Sequence, residues 1–274
     1  MGQPGYDRFS AHDGTSLAYR VNGQGIPVVL LHGYTLTSTT NFATHYRDQG
    51  SGQLVAAAGP TIESALVGAG FQVVMLDSRG HGHSGRPHDR DSYSLEMCAD
   101  DVRGLVAHLG VDRAALAGYS VGAWISCHLL ADTWVCGAAL CGIHSRAVEG
   151  QYPEFGTWMA TMSRCFLEDC WDEHPDLQIL RAWAELDDSG PDFEALGMFA
   201  LGLRPIPAAV LASAPTSVPV MVLNGGADDG ATDELDFARF LPGARRVVAG
   251  QGHHGNAPSD PLFHAELARF ALSL

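Results

Sequence analysis

The chain reads AALAGYSVGAWISCHLLA over residues 114–131, and this stretch decides the fold. Residues 114–117 form a short apolar run typical of a buried strand, and residues 121–131 are typical of a helix. Between them, Gly118-Tyr119-Ser120-Val121-Gly122 matches G-x-S-x-G, which places a serine on a sharp strand-to-helix turn. Such a turn strains the serine backbone and exposes its hydroxyl, and the flanking glycines let neighbouring backbones approach. We interpret Ser120 as a nucleophile. An ordinary glycine-bracketed turn is the alternative.

Apolar runs and helical stretches alternate on both sides of this turn. Two short strands are predicted around the turn signal Asp13-Gly14. The other predicted strands are 27–31, 73–76, 114–117, 135–140, 219–223 and 245–249, and the predicted helices are 60–69, 94–109, 121–131 and one that begins at Asp260-Pro261. Buried strands that alternate with helices predict a mostly parallel sheet covered on both faces. We therefore expect an α/β protein with a mostly parallel, eight-stranded sheet.

Residues 142–213 interrupt this alternation. They contain three of the five tryptophans and several helical stretches, and their sequence shows no buried strand. We interpret them as a helical cap inserted over the sheet. Residues 1–141 and 214–274 then form the core.

Composition excludes several classes of function. The 274 residues include no lysine; all 16 basic residues are arginine, against 31 acidic residues, and the net charge is −15. A Schiff-base lysine and a P-loop lysine are therefore impossible. The acidic balance argues against nucleic acid or an anionic membrane as a partner.

We expect neither a targeting segment nor a membrane-spanning segment in this sequence. Its start, MGQPGYDRFS, lacks the apolar core of a signal peptide, and no apolar run approaches the ~18 residues of a membrane helix. The six cysteines form no CxxC pair, which favours reduced, mostly buried thiols. We expect a cytoplasmic protein.

Four segments resemble those of the α/β-hydrolase family. Leu31-His32-Gly33-Tyr34 resembles the oxyanion loop after the third strand, and residues 76–85, LDSRGHGHSG, resemble the segment D-x-R-G-x-G-x-S. The third segment is the turn around Ser120, and the fourth is a pair of C-terminal turns that carry an acid and a histidine. The resemblance implies the α/β-hydrolase fold and a serine hydrolase of the esterase type.

The resemblance also implies a triad in the order Ser, acid, His. After the strand 219–223, the family pattern G-x-x-D selects Asp228, with Asp229 as the near alternative. After the last strand, the pattern G-x-G-H selects His253. His254 is interpreted as a neighbour that lines the pocket or faces solvent.

An oxyanion hole follows from the same resemblance. Its expected donors are the backbone N–H groups of Val121 and Tyr34. The sequence departs from the common pattern with Thr35-Leu36, where proline or glycine often follows. In this family the cap roofs the active site, which implies a moderately apolar, small-molecule acyl substrate.

Two other motifs favour structural interpretations. Gly80, Gly82 and Gly85 spell G-x-G-x-x-G, but the next helix is predicted only near residue 94, too late for a dinucleotide site. His81, His83 and His88 have few further ligands near them in the sequence, so we expect a structural turn and no metal.

Together these features predict a cofactor-free serine hydrolase that cleaves a carboxylic ester, thioester or lactone. Ser120 is the expected nucleophile, His253 the base and Asp228 the acid. The serine argues against dehalogenases and epoxide hydrolases that use an aspartate nucleophile. Carbon–carbon bond hydrolases, peptidases, perhydrolases and a non-catalytic ligand-binding relative remain alternatives.

Overall fold

A single large sheet organises the chain. The computed structural model describes residues 5–43, 45–47, 54–56, 60–233 and 236–274. Its strands are β1 (Asp7–Ser10), β2 (Ser16–Gly23), β3 (Pro27–Leu31), β4 (His45–Arg47), β5 (Leu54–Ala56), β6 (Gln72–Leu76), β7 (Ala114–Tyr119), β8 (Val135–Cys141), β9 (Val220–Gly225) and β10 (Arg245–Ala249). Eight of them form one sheet in the order β1-β2-β6-β3-β7-β8-β9-β10, and β4 pairs with β5 separately. Strand β2 runs antiparallel to both β1 and β6, and the other neighbouring strands of this sheet are parallel to each other. The predicted fold class is confirmed.

Eight α-helices connect these strands within the described residues. They are α1 (Ile62–Gly68), α2 (Leu95–His108), α3 (Val121–Cys127), α4 (Phe155–Glu168), α5 (Gln178–Ala184), α6 (Phe193–Gly202), α7 (Ala208–Ala212) and α8 (Pro261–Leu272). Thr61, Ser94 and Asp260 cap α1, α2 and α8 with side-chain oxygens, as polar N-caps do. Helix α3 ends at Cys127, before the predicted residue 131. None of the described helices is both long and apolar enough to cross a membrane.

Alternating side chains divide the apolar interior into two clusters. Val29 and Leu31 of β3 face one cluster, which also contains apolar residues of α2, α3, α4 and α6. Val28 and Leu30 face the other, which contains residues of α1 and α8. Side chains of a strand point alternately to opposite faces, so both faces of a buried strand must be apolar. This explains why the central strands are continuous apolar runs.

Residues 142–213, all of which are described, contain α4 to α7 and no strand of the sheet. Helices α4 and α6 pack against each other. The Tyr34 hydroxyl donates a hydrogen bond of 2.8 Å to the Leu196 carbonyl of α6, and its ring stacks on Phe199 at 5.7 Å. The segment is therefore joined to the loop that follows β3. The division of the chain at residues 142 and 213 stays a prediction.

The turn between β7 and α3 is tightly packed. A Cβ at Gly118 would lie 2.2 Å from the Gly122 carbonyl oxygen, and a Cβ at Gly122 would lie 2.0 Å from the Leu31 carbonyl oxygen. Only glycine lets these three backbone segments come so close. The motif glycines therefore hold β3, β7 and α3 together around Ser120.

Two buried histidines hold the loop after β3. The His32 Nε2 accepts the backbone N–H of Ser78 at 3.0 Å, and the His81 Nε2 accepts that of Thr35 at 3.2 Å. Their Nδ1 atoms then donate to the carbonyls of Gly33 and Arg79. Burial lowers the pKa of His32, and burial followed by the neighbouring His32 lowers that of His81 to about 3. Both rings are therefore held neutral.

Asp77 and Arg79 brace the same region. Asp77 is fully buried and its Oδ1 accepts both the N–H and the hydroxyl of Ser38, at 2.9 and 2.6 Å. The buried Arg79 guanidinium donates two bonds, of 2.7 and 2.6 Å, to the Asp101 carboxylate. A bidentate pair of this kind fixes orientation as well as charge.

We expect Gly122→Ala to lower the free energy of unfolding by about 1–3 kcal/mol or more, because the added methyl group meets backbone on β3. Gly156→Ala is the matched control. A Cβ there meets no atom within 4 Å, so replacing a helical glycine should raise stability by up to about 1 kcal/mol. Urea denaturation measures both. Equal stability of the two variants would contradict the packing argument.

Stability should also fall with acid because of the two buried histidines. In the unfolded chain these histidines have pKa values near 6.5, so below about pH 6.5 they bind protons that they do not bind in the folded chain. This difference in proton binding lowers the free energy of unfolding as the pH falls. Each ring then contributes a slope of at most about 1.4 kcal/mol per pH unit, down to its lowered folded pKa. Urea denaturation between pH 7.5 and 4.5 measures this slope. His81→Gln should flatten it and the exposed His12→Gln should not; the same slope in all three proteins would refute the argument.

Candidate active site

Ser120 occupies the strained position of the turn. Its φ of 55° and ψ of −118° lie outside the regions that L-residues prefer. Its N–H donates to the Cys141 carbonyl at 2.8 Å, and its own carbonyl accepts the N–H groups of Ala123 and Trp124. The backbone is therefore fixed on both sides, and the side chain stands at the wall of a cavity. Strain that is held in place in this way is typical of functional sites.

His254 joins Ser120 to Asp228. The His254 Nε2 lies 3.0 Å from the Ser120 Oγ, and its Nδ1 lies 3.0 Å from the Asp228 Oδ2. Both distances are those of hydrogen bonds. The Asp228 carboxylate is almost fully buried, and its other oxygen accepts the N–H of Gly230 at 3.0 Å. The sequence prediction of Ser120 and Asp228 therefore matches two of the three groups that meet here.

The Asp228 carboxylate is held ionised. Burial by itself would raise its pKa, but the hydrogen bond and charge of His254, followed by the N–H of Gly230, lower the pKa below its ordinary value. A carboxylate in this position selects the tautomer of the imidazole, with the proton on Nδ1, and leaves Nε2 free to accept from the hydroxyl.

His253, predicted as the base, does not meet the serine. Its ring is exposed, and its Nδ1 accepts the N–H of Gly255 at 3.0 Å. Its backbone N–H donates to the Asn256 Oδ1 at 2.7 Å, and its carbonyl accepts from Asn256 and Ala257. His253 thus begins a turn and points outward, and the next residue, His254, points inward. The prediction is corrected by one position.

The packing of Gly252, the residue before the two histidines, explains why His254 and not His253 reaches Ser120. A Cβ at Gly252 would lie 2.6 Å from the Cα of Ala257, and the Gly252 carbonyl lies against Gly225 at the end of β9. Gly252 is therefore pressed against the sheet, and one further residue is needed to reach Ser120. Asn256 is the sequence signal that was missed, because a polar side chain three residues after His253 can cap its N–H.

Asp229, the alternative acid, is exposed and lies 3.6 Å from the Arg146 guanidinium. Among the residues that the structure describes, it forms no hydrogen bond or ion pair with either histidine, and it lies at the rim of the cavity. The choice of Asp228 over Asp229 therefore agrees with the geometry.

The two expected oxyanion donors border the same space. Tyr34, Ser120 and Val121 line one cavity. Val121 is the first residue of α3, and first-turn N–H groups of a helix have no acceptor in the helix. Tyr34 precedes Thr35, whose φ is 66°, and among the turn and loop hydrogen bonds of the described residues none uses the Tyr34 N–H.

An apolar cavity of about 270 Å³ opens above Ser120. Its walls come from the turn at Ser120, the start of α3, the segment 142–213 and the loops that carry Tyr34, Asp229 and His254. The apolar lining side chains from that segment are Trp158, Met159, Met162, Leu177, Ile179, Leu180, Trp183 and Leu203. A small polar end facing a large apolar wall is the usual form of a small-molecule site.

A second, polar cavity of about 340 Å³ adjoins the first. The two share His144, Arg146 and Asp229. The Nδ1 of His144 is buried and has no hydrogen-bond partner among the described residues. Burial, followed by the nearby His254 and Arg146, lowers the pKa of His144, so its ring is neutral. His144 was not predicted as a site residue, since nothing in its sequence context sets it apart.

The three histidines considered as metal ligands each contact a different group. His81 binds backbone groups inside the loop, His83 faces Asp188 at 3.4 Å, and His88 pairs with Asp192 at 2.9 Å. Gly80 and Gly85 close a turn on each other, and helix α2 begins only at Leu95. This glycine segment is a structural turn.

Comparisons with known proteins show which proteins this chain resembles. The non-heme haloperoxidase of Rhodococcus erythropolis is 34% identical over 116 residues, which cover 41% of this chain and 34% of that protein. The chain thus matches about a third of the length of that relative.

Solved structures resemble the chain over nearly its whole length. A thermophilic esterase from Thermogutta terrifontis gives a TM-score of 0.69 at 22% identity, covering 99% of this chain and 98% of the esterase. The enol-lactonase of Burkholderia xenovorans LB400 gives 0.65 at 21% identity, covering 97% of this chain and 98% of the lactonase. At these identities the likeness shows the fold alone.

The family model described as alpha/beta hydrolase fold matches residues 26–162, which is half of the chain and includes β3, β7 and the turn at Ser120. The predicted resemblance is thereby confirmed, and the chain belongs to the α/β-hydrolase fold family.

Proposed function

We propose that this protein is a serine hydrolase that cleaves carboxylic esters, thioesters or lactones through an acyl-enzyme. The single observation that carries the proposal is the His254 ring, which lies within hydrogen-bond distance of both the Ser120 hydroxyl and the Asp228 carboxylate. A serine hydroxyl is a weak nucleophile by itself and needs an adjacent base. The esterase and lactonase among the structural neighbours support this choice of reaction.

In the proposed reaction, the Ser120 Oγ attacks the substrate carbonyl carbon while the His254 Nε2 takes the hydroxyl proton. The imidazolium that forms is stabilised by the ionised Asp228, which itself stays unprotonated. His254 then gives its proton to the leaving oxygen or sulfur. Water attacks the acyl-enzyme with His254 again as base, and the acid product leaves.

The negative charge of each tetrahedral intermediate needs donors that are already in place. We propose the backbone N–H groups of Tyr34 and Val121 for this role, since both border the cavity beside Ser120. The dipole of α3 adds to the positive potential at Val121. Removing one such donor in other enzymes costs about 10²–10³ in kcat.

We propose the substrate class from the lining of the cavity. Its apolar wall, built from tryptophan, methionine and leucine side chains, suits a small and moderately apolar acyl group. The adjoining polar cavity, with His144 and Arg146, suits a more polar leaving group or a water molecule.

The haloperoxidase relative favours a second candidate, perhydrolysis. In it, hydrogen peroxide replaces water as the attacker of the acyl-enzyme and yields a peroxy acid, which can oxidise a halide. Acetate, peroxide and bromide supplied together should then brominate a phenol indicator, and Ser120→Ala should abolish this. A rate no higher than without protein would exclude the second candidate.

Fluorophosphonate labelling tests the nucleophile. The probe should modify Ser120 alone, because its hydroxyl lies beside both the His254 ring and the proposed oxyanion donors. Peptide mapping identifies the modified residue, and Ser120→Ala should be unlabelled and should lose hydrolysis of short p-nitrophenyl esters. Modification of another residue would refute the proposal.

The adjacent histidines allow a matched comparison. His254→Ala should lower kcat/KM for a p-nitrophenyl ester by at least about 10³-fold, because the general base is removed. His253→Ala should leave kcat/KM within severalfold of wild type, since its ring faces solvent. Circular dichroism of both variants checks the fold. The reverse pattern would restore His253 as the base.

A further inference from the structure

Three metal-ligating side chains converge in the cap segment, away from Ser120. The Sγ atoms of Cys165 and Cys170 lie 3.3 Å apart, and the ligand atoms of Cys165, Cys170 and His174 all lie within 4.8 Å of one another. They follow the spacing C-x4-C-x3-H. This spacing contains no CxxC pair, so the sequence alone predicted thiols without a metal.

The local backbone is shaped to bring these side chains together. Helix α4 ends at Glu168, and Asp169 takes the left-handed conformation with a φ of 56°. The left-handed conformation of Asp169 reverses the direction of the chain, which brings the Cys170 side chain next to that of Cys165. A 3₁₀ turn over Trp171–Glu173 then carries His174 back, with its N–H donating to the Trp171 carbonyl. Trp171 anchors the turn, because its buried ring packs edge-on against Phe166 at 4.8 Å.

From this arrangement we propose that Cys165, Cys170 and His174 bind one divalent transition-metal ion of the zinc class. Two thiolates and one imidazole are a common zinc donor set, and zinc takes ligands at about 2.0–2.3 Å in a tetrahedron. The observed separations need only a small opening to reach such a geometry. Each thiol releases its proton to solvent as it binds. The fourth position is taken by water, since His174 is half-buried at the surface.

The charge around the cluster favours a cation. The segment 168–176 reads EDCWDEHPD, with five carboxylates and no basic residue. The neighbouring Arg164 and Arg181 pair with three of them at 2.8–3.5 Å. The local excess of negative charge attracts a divalent ion, as the net charge of −15 does over the whole chain.

A disulfide between the two cysteines is the competing arrangement. It would account for the two sulfur atoms but gives the His174 ring no role. A disulfide also leaves unexplained why the ligand nitrogen of His174 lies within 4.8 Å of both sulfur atoms. A metal uses all three side chains, which is why the cluster favours the ion.

The bound ion would stabilise the roof of the active-site cavity. Cys165 belongs to α4, which contributes Met159 and Met162 to the cavity wall. His174 lies just before Leu177, on the wall at the start of α5. The ion therefore links two walls of the same cavity and acts as a structural site.

Cobalt(II) titration of the full, reduced chain under nitrogen tests the site, because cobalt occupies zinc sites and reports thiolate ligands by a charge-transfer absorption band. The band should saturate at one equivalent, and zinc should bleach it. Cys165→Ser and Cys170→Ser should each abolish the band. His174→Asn should weaken binding at least tenfold, as measured by competition with a chromophoric chelator.

Two controls separate ligands from other residues of the same type. Cys136→Ser changes a half-buried cysteine in β8, and His12→Asn changes an exposed histidine; neither should alter the titration. Circular dichroism shows whether each variant folds, and fluorophosphonate labelling of Ser120 reports the active site independently. No charge-transfer band in the reduced wild type, or a band that survives both serine variants, would overturn the proposal. So would a Cys165–Cys170 disulfide in protein purified without reductant, seen by mass as the loss of two hydrogen atoms, with no metal bound.

Discussion

Backbone contact at the turn between β7 and α3 is the constraint on which the site depends. Gly118 and Gly122 allow β3, β7 and α3 to meet at distances that a side chain would forbid. That contact forces Ser120 into a conformation with positive φ and brings the loop after β3 beside it. The strain at Ser120 is thus sustained by the packing of β3, β7 and α3 around it.

Buried polar groups extend this rigidity outward from the turn. His32, His81 and Asp77 hydrogen-bond backbone groups of the loops after β3 and β6. Backbone donors inside a low-dielectric region are costly to leave unpaired, so each loop has one well-defined path. The groups of the proposed active site therefore need little rearrangement to react, and such preorganisation is the condition for electrostatic stabilisation of an oxyanion.

Much of the fold and part of the site could be predicted from the sequence, for physical reasons. Apolar runs indicate burial on both faces of a strand, so the sheet could be predicted. The motif G-x-S-x-G reflects a steric requirement, so the strand-to-helix turn at Ser120 could be predicted as well. The choice between His253 and His254 was wrong because adjacent side chains differ only in direction, which depends on how Gly252 packs against a distant strand. The convergence of Cys165, Cys170 and His174 likewise depends on the left-handed conformation of Asp169. No sequence pattern predicts that conformation.

The hydrogen bond from the Tyr34 hydroxyl to the Leu196 carbonyl limits the routes by which a small molecule can reach Ser120. Tyr34 belongs to the proposed oxyanion loop, and its ring also lies flat on Phe199 of α6. A movement of α6 away from the sheet would therefore also move this loop and would displace the proposed oxyanion donor at Tyr34. The polar cavity meets the apolar one at Arg146 and Asp229. Entry of a substrate past these two residues would avoid α6. In the proposed reaction, entry by this route would require no movement of α6.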